Sequence, residues 1–410
     1  MTGDALPAVD RPAHVPPGLV VDFDLWDIPG ADQDLHLAMR RVQQANPDIF
    51  WTPRNGGHWV ATRADDIELI ESDYTRFSTH CVTIPKKPEN LPRELPQELD
   101  PPRHTDLRRP LTFALLPKTV TQMEPKLREL TASLIDNFYH RGECEFISEF
   151  AKVFPISVFL DLVNLPREDR HILVPLADQS VRGRDQAVRM EAFRKVREYL
   201  GDVIDARRAQ PGDDLFSKVV NIEIDGVKIS EDDAISYASL VMFGGLDTVA
   251  SVLSFVTRFL ANNPEQRHDL TANLDDESFM RGVIDELLRR HGVASVARMI
   301  THDLDFQGIG FKAGDMVLVP NMFIGLDERR VSDPETINFR RSPSIQPGIF
   351  GKGAHVCPGA GLARRELRVF LETWLRKIPD FQIQQDKPLI TETGIVSTIT
   401  QLHLSWTPRP

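Results

Sequence analysis

Cysteine is scarce in this chain: its 410 residues include only Cys81, Cys144 and Cys357, which lie far apart. Three isolated cysteines argue against a disulfide framework. Long apolar runs are also missing. No stretch approaches the roughly eighteen uninterrupted apolar residues of a membrane span, and no basic N-terminal segment leads into an apolar run. The sequence therefore predicts a soluble protein of the cytoplasm, without a signal peptide or a membrane anchor.

Positive charge is in deficit, because 48 Lys and Arg face 60 Asp and Glu and leave a formal net charge of −12. This balance argues against general affinity for nucleic acid and favours solubility. Several common site signatures are missing too: there is no His-Glu-x-x-His zinc motif, no phosphate-binding loop and no Ser-His-Asp arrangement that can be placed. The Gly-x-Gly at residues 308–310 lacks the dinucleotide spacing and no helix follows it, so it predicts a turn.

Helical periodicity fills most of the chain, whereas strand-like alternation is short and scattered. We predict a mainly α fold with small β-sheets, formed as a single domain over residues 21–410. Residues 1–20 are rich in Pro and Ala and predict a loose N-terminal arm. Residues 85–102 contain six prolines, which exclude a regular helix and predict a long loop, ordered or mobile. Residues 144–162 predict a helix.

The segment from Phe350 to Gly359 places Cys357 in a glycine-rich turn, just before an apolar, Arg-rich helical pattern over residues 360–378. The helix dipole and the free backbone N–H groups at a helix N-terminus favour the thiolate form of such a cysteine. A single soft thiolate without Cys or His partners suits haem iron better than zinc. The alternative is an ordinary buried free cysteine.

Ser230 opens the longest helical pattern, which can run to Asn263, where Pro264 blocks its continuation. About 33 residues would span roughly 50 Å, enough to cross the whole molecule. The adjacent Gly244 and Gly245 lie inside this helix. Each costs roughly 1 kcal/mol relative to alanine, so something must use the space that they leave.

Thr248 follows Gly244 by four residues, so its hydroxyl can bond the Gly244 carbonyl or kink the helix. Asp247 adds a carboxylate next to it. A groove with an exposed carbonyl, a hydroxyl and a carboxylate suits dioxygen and a proton relay. The alternative is a pair of packing glycines at which another helix crosses.

These two motifs resemble those of the cytochrome P450 family, the haem-thiolate monooxygenases, and the likeness extends over residues 20–405. The run Gly-Gly-Leu-Asp-Thr-Val is most similar to the bacterial camphor-hydroxylase group. The resemblance implies a fold that holds haem b between a long kinked central helix and the cysteine loop. It also implies a bacterial enzyme that hydroxylates a small apolar molecule with O₂ as co-substrate and two delivered electrons.

The resemblance assigns Cys357 as the iron ligand, and Phe350, Gly353 and Gly359 to the haem-binding loop. It implies four donors to the two haem propionates, which are His104, Arg108, Arg298 and His355. From the residues alone, segment 103–109 could equally be a solvated basic turn.

The resemblance also gives roles to the polar residues of two helices. It implies that Thr248 hydrogen-bonds the dioxygen and that Asp247 feeds protons inward, paired with Arg182. It further implies that Glu286 and Arg289 form the buried Glu-x-x-Arg pair of the haem-side core. The spacing alone would equally fit a surface ion pair worth at most about 1 kcal/mol.

The substrate positions carried over from the family are small or apolar: Leu240, Phe243, Gly244, Ala294, Val296, Ile395 and Val396. Where camphor hydroxylases keep a ketone-binding tyrosine, this chain has Pro92. The loss of one anchoring hydrogen bond, worth about 1 kcal/mol, leaves orientation to shape. We therefore expect a compact apolar terpenoid, with ionone-like norisoprenoids as the leading candidates and poorly coupled turnover of camphor.

A [2Fe–2S] ferredoxin and a flavoprotein reductase are the electron donors that the resemblance implies. Residues 350–370 hold four Lys and Arg and one Glu, a net charge of +3, and residues 103–109 hold three Arg and one Asp, a net charge of +2. A basic patch on an acidic protein favours a small acidic partner. We predict partner contacts at Lys352, Arg364 and Arg109. These cations could instead be propionate ligands and ordinary helix surface.

Two other functions are compatible with a haem site. One is a peroxygenase that takes hydrogen peroxide directly, which the Asp247-Thr248 pair disfavours. The other is a non-catalytic haem protein that senses ligands, which would consume no O₂ in response to a substrate.

Overall fold

The computed structural model describes residues 8–88, 92–182, 186–224, 226–342 and 347–409. The helices are α1 (Ala31–Ala45), α2 (Ala64–Ser72), α3 (Arg103–Ala114), α4 (Pro117–Tyr139), α5 (Val153–Leu162), α6 (Arg170–Arg182), α7 (Gln186–Ala209), α8 (Leu215–Val219), α9 (Glu231–Asn262), α10 (Pro264–Ala272), α11 (Glu277–Arg290), α12 (Met322–Leu326) and α13 (Ala360–Lys377). The mainly α prediction is confirmed.

The strands are short and form small sheets. They are β1 (Ile49–Thr52), β2 (His58–Ala61), β3 (Phe77–Ser78), β4 (Glu143–Glu145), β5 (Glu223–Ile224), β6 (Val227–Lys228), β7 (Ser295–Ile300), β8 (Leu304–Phe306), β9 (Ile309–Phe311), β10 (Met316–Pro320), β11 (Gln382–Ile383), β12 (Ile390–Glu392), β13 (Thr398–Gln401) and β14 (His403–Ser405). The largest sheet has the order β1-β2-β10-β7-β3, and a second has the order β11-β14-β4. Three two-stranded hairpins complete the set.

Helix α9 crosses the middle of the molecule. The Ser230 hydroxyl accepts the Asp233 backbone N–H at 3.1 Å, so the predicted N-cap is confirmed. The helix then runs unbroken through the glycine pair and ends before Pro264. By length and composition α9 could also cross a membrane, but half of its most apolar stretch is buried inside the molecule, as in the core helix of a globular protein.

Two apolar cores meet along α9. Residues 234–246 of the helix pack into a core built from α5, α6, α7 and α8. Residues 250–260 pack into a larger core that contains the five-stranded sheet, α4, α11 and α13. The junction falls at residues 247–249, next to the glycine pair. The central helix therefore brings its polar motif to the boundary between the two cores.

The described part of the predicted loose arm, residues 8–20, is docked, so that prediction is wrong for these residues. Val15 is fully buried. The backbone N–H of Val9 donates to Pro53 at 3.0 Å, and Val20 forms a bridge with Trp51. Apolar burial and backbone pairing hold the segment against β1, a partner that composition alone does not reveal.

One more expectation needs correction. The helix predicted over residues 144–162 begins as strand β4, because Cys144 pairs with Leu404 of the C-terminal strand, and helix resumes as a π-helix at Ile147–Ala151 that leads into α5. At β4 a distant segment overrides the local pattern. Of the two states that the proline-rich loop could take, the described residues are ordered, since Glu98 is fully buried and accepts a hydrogen bond from the Lys87 ammonium.

Candidate active site

The loop that carries Cys357 is shaped by two glycines with left-handed backbone angles. Gly351 and Gly353 both have φ of 71°. A Cβ at Gly353 would lie 2.8 Å from the Glu71 carbonyl oxygen, so only glycine fits there. The backbone N–H of Cys357 donates to the Phe350 carbonyl at 2.8 Å and closes the loop. The turn delivers the thiol to the N-terminus of α13.

The Cys357 thiol differs in its surroundings from the buried cysteine Cys144. Burial raises the pKa of both thiols. At Cys357 the backbone N–H groups of Gly359 and Ala360 and the guanidinium of Arg108 oppose this rise, whereas the groups around Cys144 are mostly acidic. Cys357 is also only half-buried. Burial still dominates and keeps the pKa of Cys357 raised, but the N–H groups and cations around it are those that a metal-bound thiolate would need.

The backbone at Gly359 does not require glycine, although the resemblance places this residue in the haem-binding loop. Its φ is −81°, which any residue adopts, and an added Cβ would stand 3.7 Å from the Cys357 sulfur, an ordinary contact. Gly359 acts as the N-cap of α13. Phe350 closes the other side of the loop, where the Arg364 guanidinium lies 4.6 Å from its ring centroid.

The four predicted propionate donors come together although the sequence separates them widely. The rings of His104 and His355 lie 4.0 Å apart, centroid to centroid. Burial, and then the charges of His104, Arg298 and Arg108, lower the pKa of His355 to about 3. The Arg108 guanidinium donates to the Val356 carbonyl, directly before the cysteine. One cluster of donors therefore stands beside the thiol.

This cluster has unused hydrogen-bonding capacity. Both ring nitrogens of His104 and the Nε of Arg298 are buried and have no hydrogen-bond partner among the described residues. Burial first, and then the charge of Arg108, lowers the pKa of His104 to about 4. Buried polar groups normally have partners. An acidic cofactor that brings two carboxylates would supply them, so these residues fit haem.

The space beside the glycine pair is open. A Cβ at Gly244 or Gly245 would meet no described atom within 4 Å beyond the helix's own backbone. By contrast, a Cβ at Gly325 would stand 2.1 Å from the Arg289 carbonyl oxygen, which is what a packing glycine looks like. The alternative of a crossing helix is therefore wrong for the described residues. Gly244 and Gly245 instead leave a groove.

Thr248 and Asp247 border this groove. The Thr248 hydroxyl donates to the Gly244 carbonyl at 2.9 Å, one of the two expected outcomes for this pair. Asp247 is half-buried, and its backbone carbonyl accepts the Ser251 hydroxyl at 2.7 Å. The predicted pairing with Arg182 lies outside the described residues, because the side chain at 182 is not among them.

The predicted substrate positions lie on three segments. Ala294 forms an isolated bridge with Val396, so the strand that enters β7 meets the turn before β13. Ala294 and Val296 are half-buried, whereas Ser295 between them is fully buried. This alternation turns Ala294 and Val296 to the opposite side from the core. Leu240, Phe243, Ile395 and Val396 are also half-buried, and Gly244 is exposed.

Phe193 is an aromatic contact that sequence reasoning missed. Its ring stacks on that of Phe243, with centroids 6.1 Å apart and planes at 21°. The pair links α7 to α9. Phe193 sits in an ordinary amphipathic pattern, so no local signal distinguishes it.

Two tyrosine hydroxyls bond elsewhere, since Tyr199 donates to Asp169 and Tyr139 contacts Arg409, and Tyr74 is an exposed side chain. Tyr237 is different, because it precedes Leu240 by one turn of α9 and its buried hydroxyl has no hydrogen-bond partner among the described residues. Pro92 is exposed. The predicted substrate positions themselves include no tyrosine, and Tyr237 is the phenol next to them along α9.

Glu286 and Arg289 form a buried pair, so the surface alternative is excluded. Arg289 donates two parallel bonds to the Glu286 carboxylate, at 2.8 and 2.9 Å. Its remaining N–H groups donate to the carbonyls of Gly325, Pro334 and Thr336. Burial raises the pKa of Glu286, but Arg289 and its other donors outweigh burial and lower it overall. The pair fixes α11 to the segment that leads to the cysteine loop.

The segment 350–370 carries less free positive charge than its sequence indicates. Acids from other elements pair with its cations: Lys352 with Glu68, Arg364 with Asp285, Arg365 with Glu124, and Arg368 with Glu277. Arg368 also pairs with Glu372 of its own helix. Arg364 also stacks on Phe350 and so belongs to the loop. The net charge of +3 counted along the segment is therefore wrong as a measure of the local field.

A single thiol at a helix N-terminus, a cluster of unsatisfied donors and an open groove along a central helix define a haem-thiolate enzyme. Comparison with known proteins agrees. The family model for cytochrome P450 matches residues 170–406. The "Probable cytochrome P450 127A1" of Sinorhizobium fredii is 33% identical and aligns over 96% of both chains. The chain belongs to the cytochrome P450 family, whose members are monooxygenases that use haem b and O₂.

Other relatives give the same family. A steroid C26-monooxygenase of Mycolicibacterium smegmatis is 31% identical and aligns over 90% of this chain and 92% of its own. The crystal structure of CYP101J2 superposes with a TM-score of 0.88 at 38% identity, over 97% of this chain and all of that one. The structure of cytochrome P450 CYP101C1 has the same TM-score and coverage at 34% identity. The predicted P450 fold is confirmed.

Proposed function

We propose that this cytochrome P450 hydroxylates a compact apolar molecule of the terpenoid or norisoprenoid class. The net reaction is R–H + O₂ + 2e⁻ + 2H⁺ → R–OH + H₂O. We propose that the electrons come from a [2Fe–2S] ferredoxin with a flavoprotein reductase, in the bacterial cytoplasm. When bound, haem b supplies the activation of O₂ and the insertion of one oxygen atom into a C–H bond.

The protein's contribution begins with holding the cofactor. In this proposal Cys357 ligates the iron, and His104, Arg108, Arg298 and His355 donate to the propionates. The unsatisfied nitrogens of His104 and Arg298 support this assignment, because two carboxylates would satisfy them. A thiolate ligand favours O–O cleavage, which suits a monooxygenase.

Thr248 and Asp247 would then deliver protons. The Thr248 hydroxyl is held by the Gly244 carbonyl, so its oxygen can accept a hydrogen bond from a group in the groove. Asp247 stands next to it, and a carboxylate can relay protons from water. The open space beside Gly244 supports this role.

The observation that carries the substrate class is the apolar lining. The predicted substrate positions are small or apolar, and Phe243 is fixed by its stack on Phe193. None of these positions is a tyrosine, and the hydroxyls of Tyr199 and Tyr139 are engaged elsewhere. Such a lining selects by shape and apolar area. Curated relatives named as a steroid C26-monooxygenase and a methyl-branched lipid omega-hydroxylase also act on apolar molecules.

The electron donor would dock on the cysteine side. Arg109 is 63% exposed in its side chain, and Phe113 lies one helical turn further along α3 and is 59% exposed. Val356 next to the cysteine is 45% exposed. Arg108, between them, reaches the Val356 carbonyl and so places α3 beside the loop. An apolar patch with a cation at its edge suits a small acidic protein.

The test has two stages. A reduced-plus-carbon-monoxide spectrum establishes thiolate ligation. The purified enzyme is then titrated with ionones, camphor and a steroid, and the shift of the haem to high spin is recorded. We expect a larger shift and tighter coupling of NADH use to product with the ionones. A complete shift with camphor at micromolar concentration, and none with norisoprenoids, would overturn the substrate class.

Oxygen labelling decides between the monooxygenase and peroxide routes. With ¹⁸O₂, ferredoxin and reductase, we expect one labelled oxygen atom in the alcohol. Equal turnover with hydrogen peroxide alone would instead favour a peroxygenase.

A further inference from the structure

Glu71 is a buried carboxylate that no step of the proposed reaction uses. It stands in the last turn of α2 and is 4% exposed. The turn from Gly351 to Gly353 packs directly on this helix end, and a Cβ at Gly351 would lie 3.3 Å from the Glu71 Oε1. The carboxylate therefore lies immediately beneath the loop that carries Cys357.

Three elements converge on this carboxylate. The side-chain amide of Asn321, the backbone N–H of Lys352 and the guanidinium of Arg298 all favour its ionised form. Its Oε2 is buried and has no hydrogen-bond partner among the described residues. One charged group thus lies against the cysteine loop and the end of β10, and within electrostatic reach of a haem-site cation.

Arg298 has Glu71 and Asp100 as its nearby acids. The Arg298 side chain is buried, its Nη1 donates to the Ala297 carbonyl at 2.9 Å, and its Nε has no partner among the described residues. Glu71 and Asp100 are the acids that favour its charged form. A propionate bound at Arg298 would share this cation with Glu71, which would weaken the hold of Arg298 on the Glu71 charge.

We propose that Glu71 takes up a proton when the bound haem is reduced, because its buried carboxylate lies against the cysteine loop and within electrostatic reach of Arg298, a proposed propionate donor. The electron comes from the reducing partner and converts ferric to ferrous iron. The proton comes from hydronium in the bulk solvent: one of its O–H bonds breaks as an O–H bond to Glu71 forms, and water is released. This inference rests on the proposed placement of the propionates at Arg298.

The electrostatics of Glu71 support the proposal. Burial raises its pKa to about 7, against the opposing effects of Arg298, Asn321 and Lys352. The charge of Glu68, one turn earlier on α2, also raises the pKa of Glu71. The Lys352 ammonium pairs with Glu68 at 3.4 Å. A buried carboxylate whose pKa is raised in this way gains a proton when nearby charge becomes more negative. An electron added to the iron raises its pKa further and draws in the proton.

The experiment is a spectroelectrochemical titration of the haem-loaded protein from pH 5.5 to 9. For the natural sequence we expect the midpoint potential to fall as pH rises, towards about 59 mV per pH unit where one proton accompanies one electron. Glu71→Gln should flatten this slope and raise the potential at alkaline pH, because it removes a negative charge. Asp65→Asn is the control: Asp65 lies on the same helix, is 86% exposed and faces Arg330, so its loss should leave the slope unchanged.

A pH-independent potential in the natural sequence would overturn the inference, as would an unchanged slope in Glu71→Gln. If Glu71→Gln does not fold, Glu71→Asp keeps the carboxylate with a shorter reach and should shift the pH midpoint, and an unchanged midpoint would count against the proposal. The readout needs neither substrate nor ferredoxin. A chain that binds no haem would refute the proposed function, whereas a haem protein with a flat profile would refute only the role of Glu71.

Discussion

The hydroxyl of Thr248 donates to the carbonyl of Gly244 across 2.9 Å, inside a helix whose glycine pair borders open space. In this bond the Gly244 carbonyl accepts from the Thr248 side chain, and the bond fixes the Thr248 rotamer. The hydroxyl oxygen keeps lone pairs that can accept from a group in the groove. The helix thus places one hydroxyl, that of Thr248, at an otherwise apolar pocket.

Thr248→Ala should leave substrate binding nearly unchanged but divert reducing equivalents into hydrogen peroxide, because the hydroxyl that positions the proton is lost. The measurement is the ratio of product to NADH consumed, with peroxide assayed in parallel. Thr248→Ser keeps the hydroxyl and should restore most of the coupling. Asp247→Asn should slow turnover more than it uncouples. Full coupling in Thr248→Ala would remove this residue from the mechanism.

Gly244→Ala should stabilise the fold by about 1 kcal/mol, because alanine is the better helix former and its methyl group meets no described neighbour. The same methyl group should weaken the binding of bulky substrates. Urea unfolding and spin-shift titrations measure the two effects. Gly325→Ala is the matched control and should destabilise, since its Cβ would stand 2.1 Å from the Arg289 carbonyl oxygen. Loss of stability in Gly244→Ala would mean that the glycine is needed for packing.

Cys357→Ala and Cys357→His should both lose the thiolate-type carbon monoxide spectrum and the oxygenation activity. Cys81→Ala and Cys144→Ala should keep the spectrum, although each removes a buried side chain and should cost some stability. Spectra of the four reduced variants under carbon monoxide suffice. Retention of the thiolate signature in a Cys357 variant would overturn the haem ligand.

Arg109→Glu should raise the apparent KM for ferredoxin several-fold, on the order expected for reversing an exposed charge that steers association. Substrate affinity should not change. In the natural sequence, the rate of turnover with ferredoxin should fall as ionic strength rises. Arg376→Glu is the control, because Arg376 is 51% exposed but lies at the far end of α13. Arg364→Glu should also raise this KM, but it would disturb the loop, because Arg364 stacks on Phe350. A rate independent of ionic strength would argue against docking at this face.

Acid should destabilise the fold through buried histidines such as His36. Burial, together with the charge of Arg290, lowers the pKa of His36 to about 3, from an unfolded value near 6.5. Because the unfolded chain binds the proton first, the stability from neutral His36 is complete above pH 6.5 and is lost as pH falls towards 3. His36→Gln should reduce this loss, whereas the exposed His268→Gln should not. Urea unfolding at pH 7.5 and pH 5 measures how much unfolding free energy is lost in acid. An equal loss in His36→Gln and in the natural sequence would contradict the assignment.

The sequence predicted those elements whose signals are local. The cap at Ser230, the length of α9 and the helix after Cys357 follow from residues within one or two turns, and the structure has them close to the predicted bounds. The cysteine loop could be recognised for the same reason, because its glycines and its cysteine lie within ten residues. The wrong predictions were also made from local patterns. Residues 8–20 and strand β4 are held by partners far along the chain.

By itself the sequence determined the family, the candidate ligand cysteine and the polar motif of the central helix, because each is a short pattern with a fixed chemistry. Only the tertiary structure decided that the glycine pair faces open space, that the acids of other elements neutralise most of the basic segment, and that Glu71 is buried beneath the cysteine loop. The physical reason is the separation along the chain over which each interaction acts. Helix propensity and capping act over a few residues, whereas burial and charge balance depend on which distant side chains folding brings within a few ångströms.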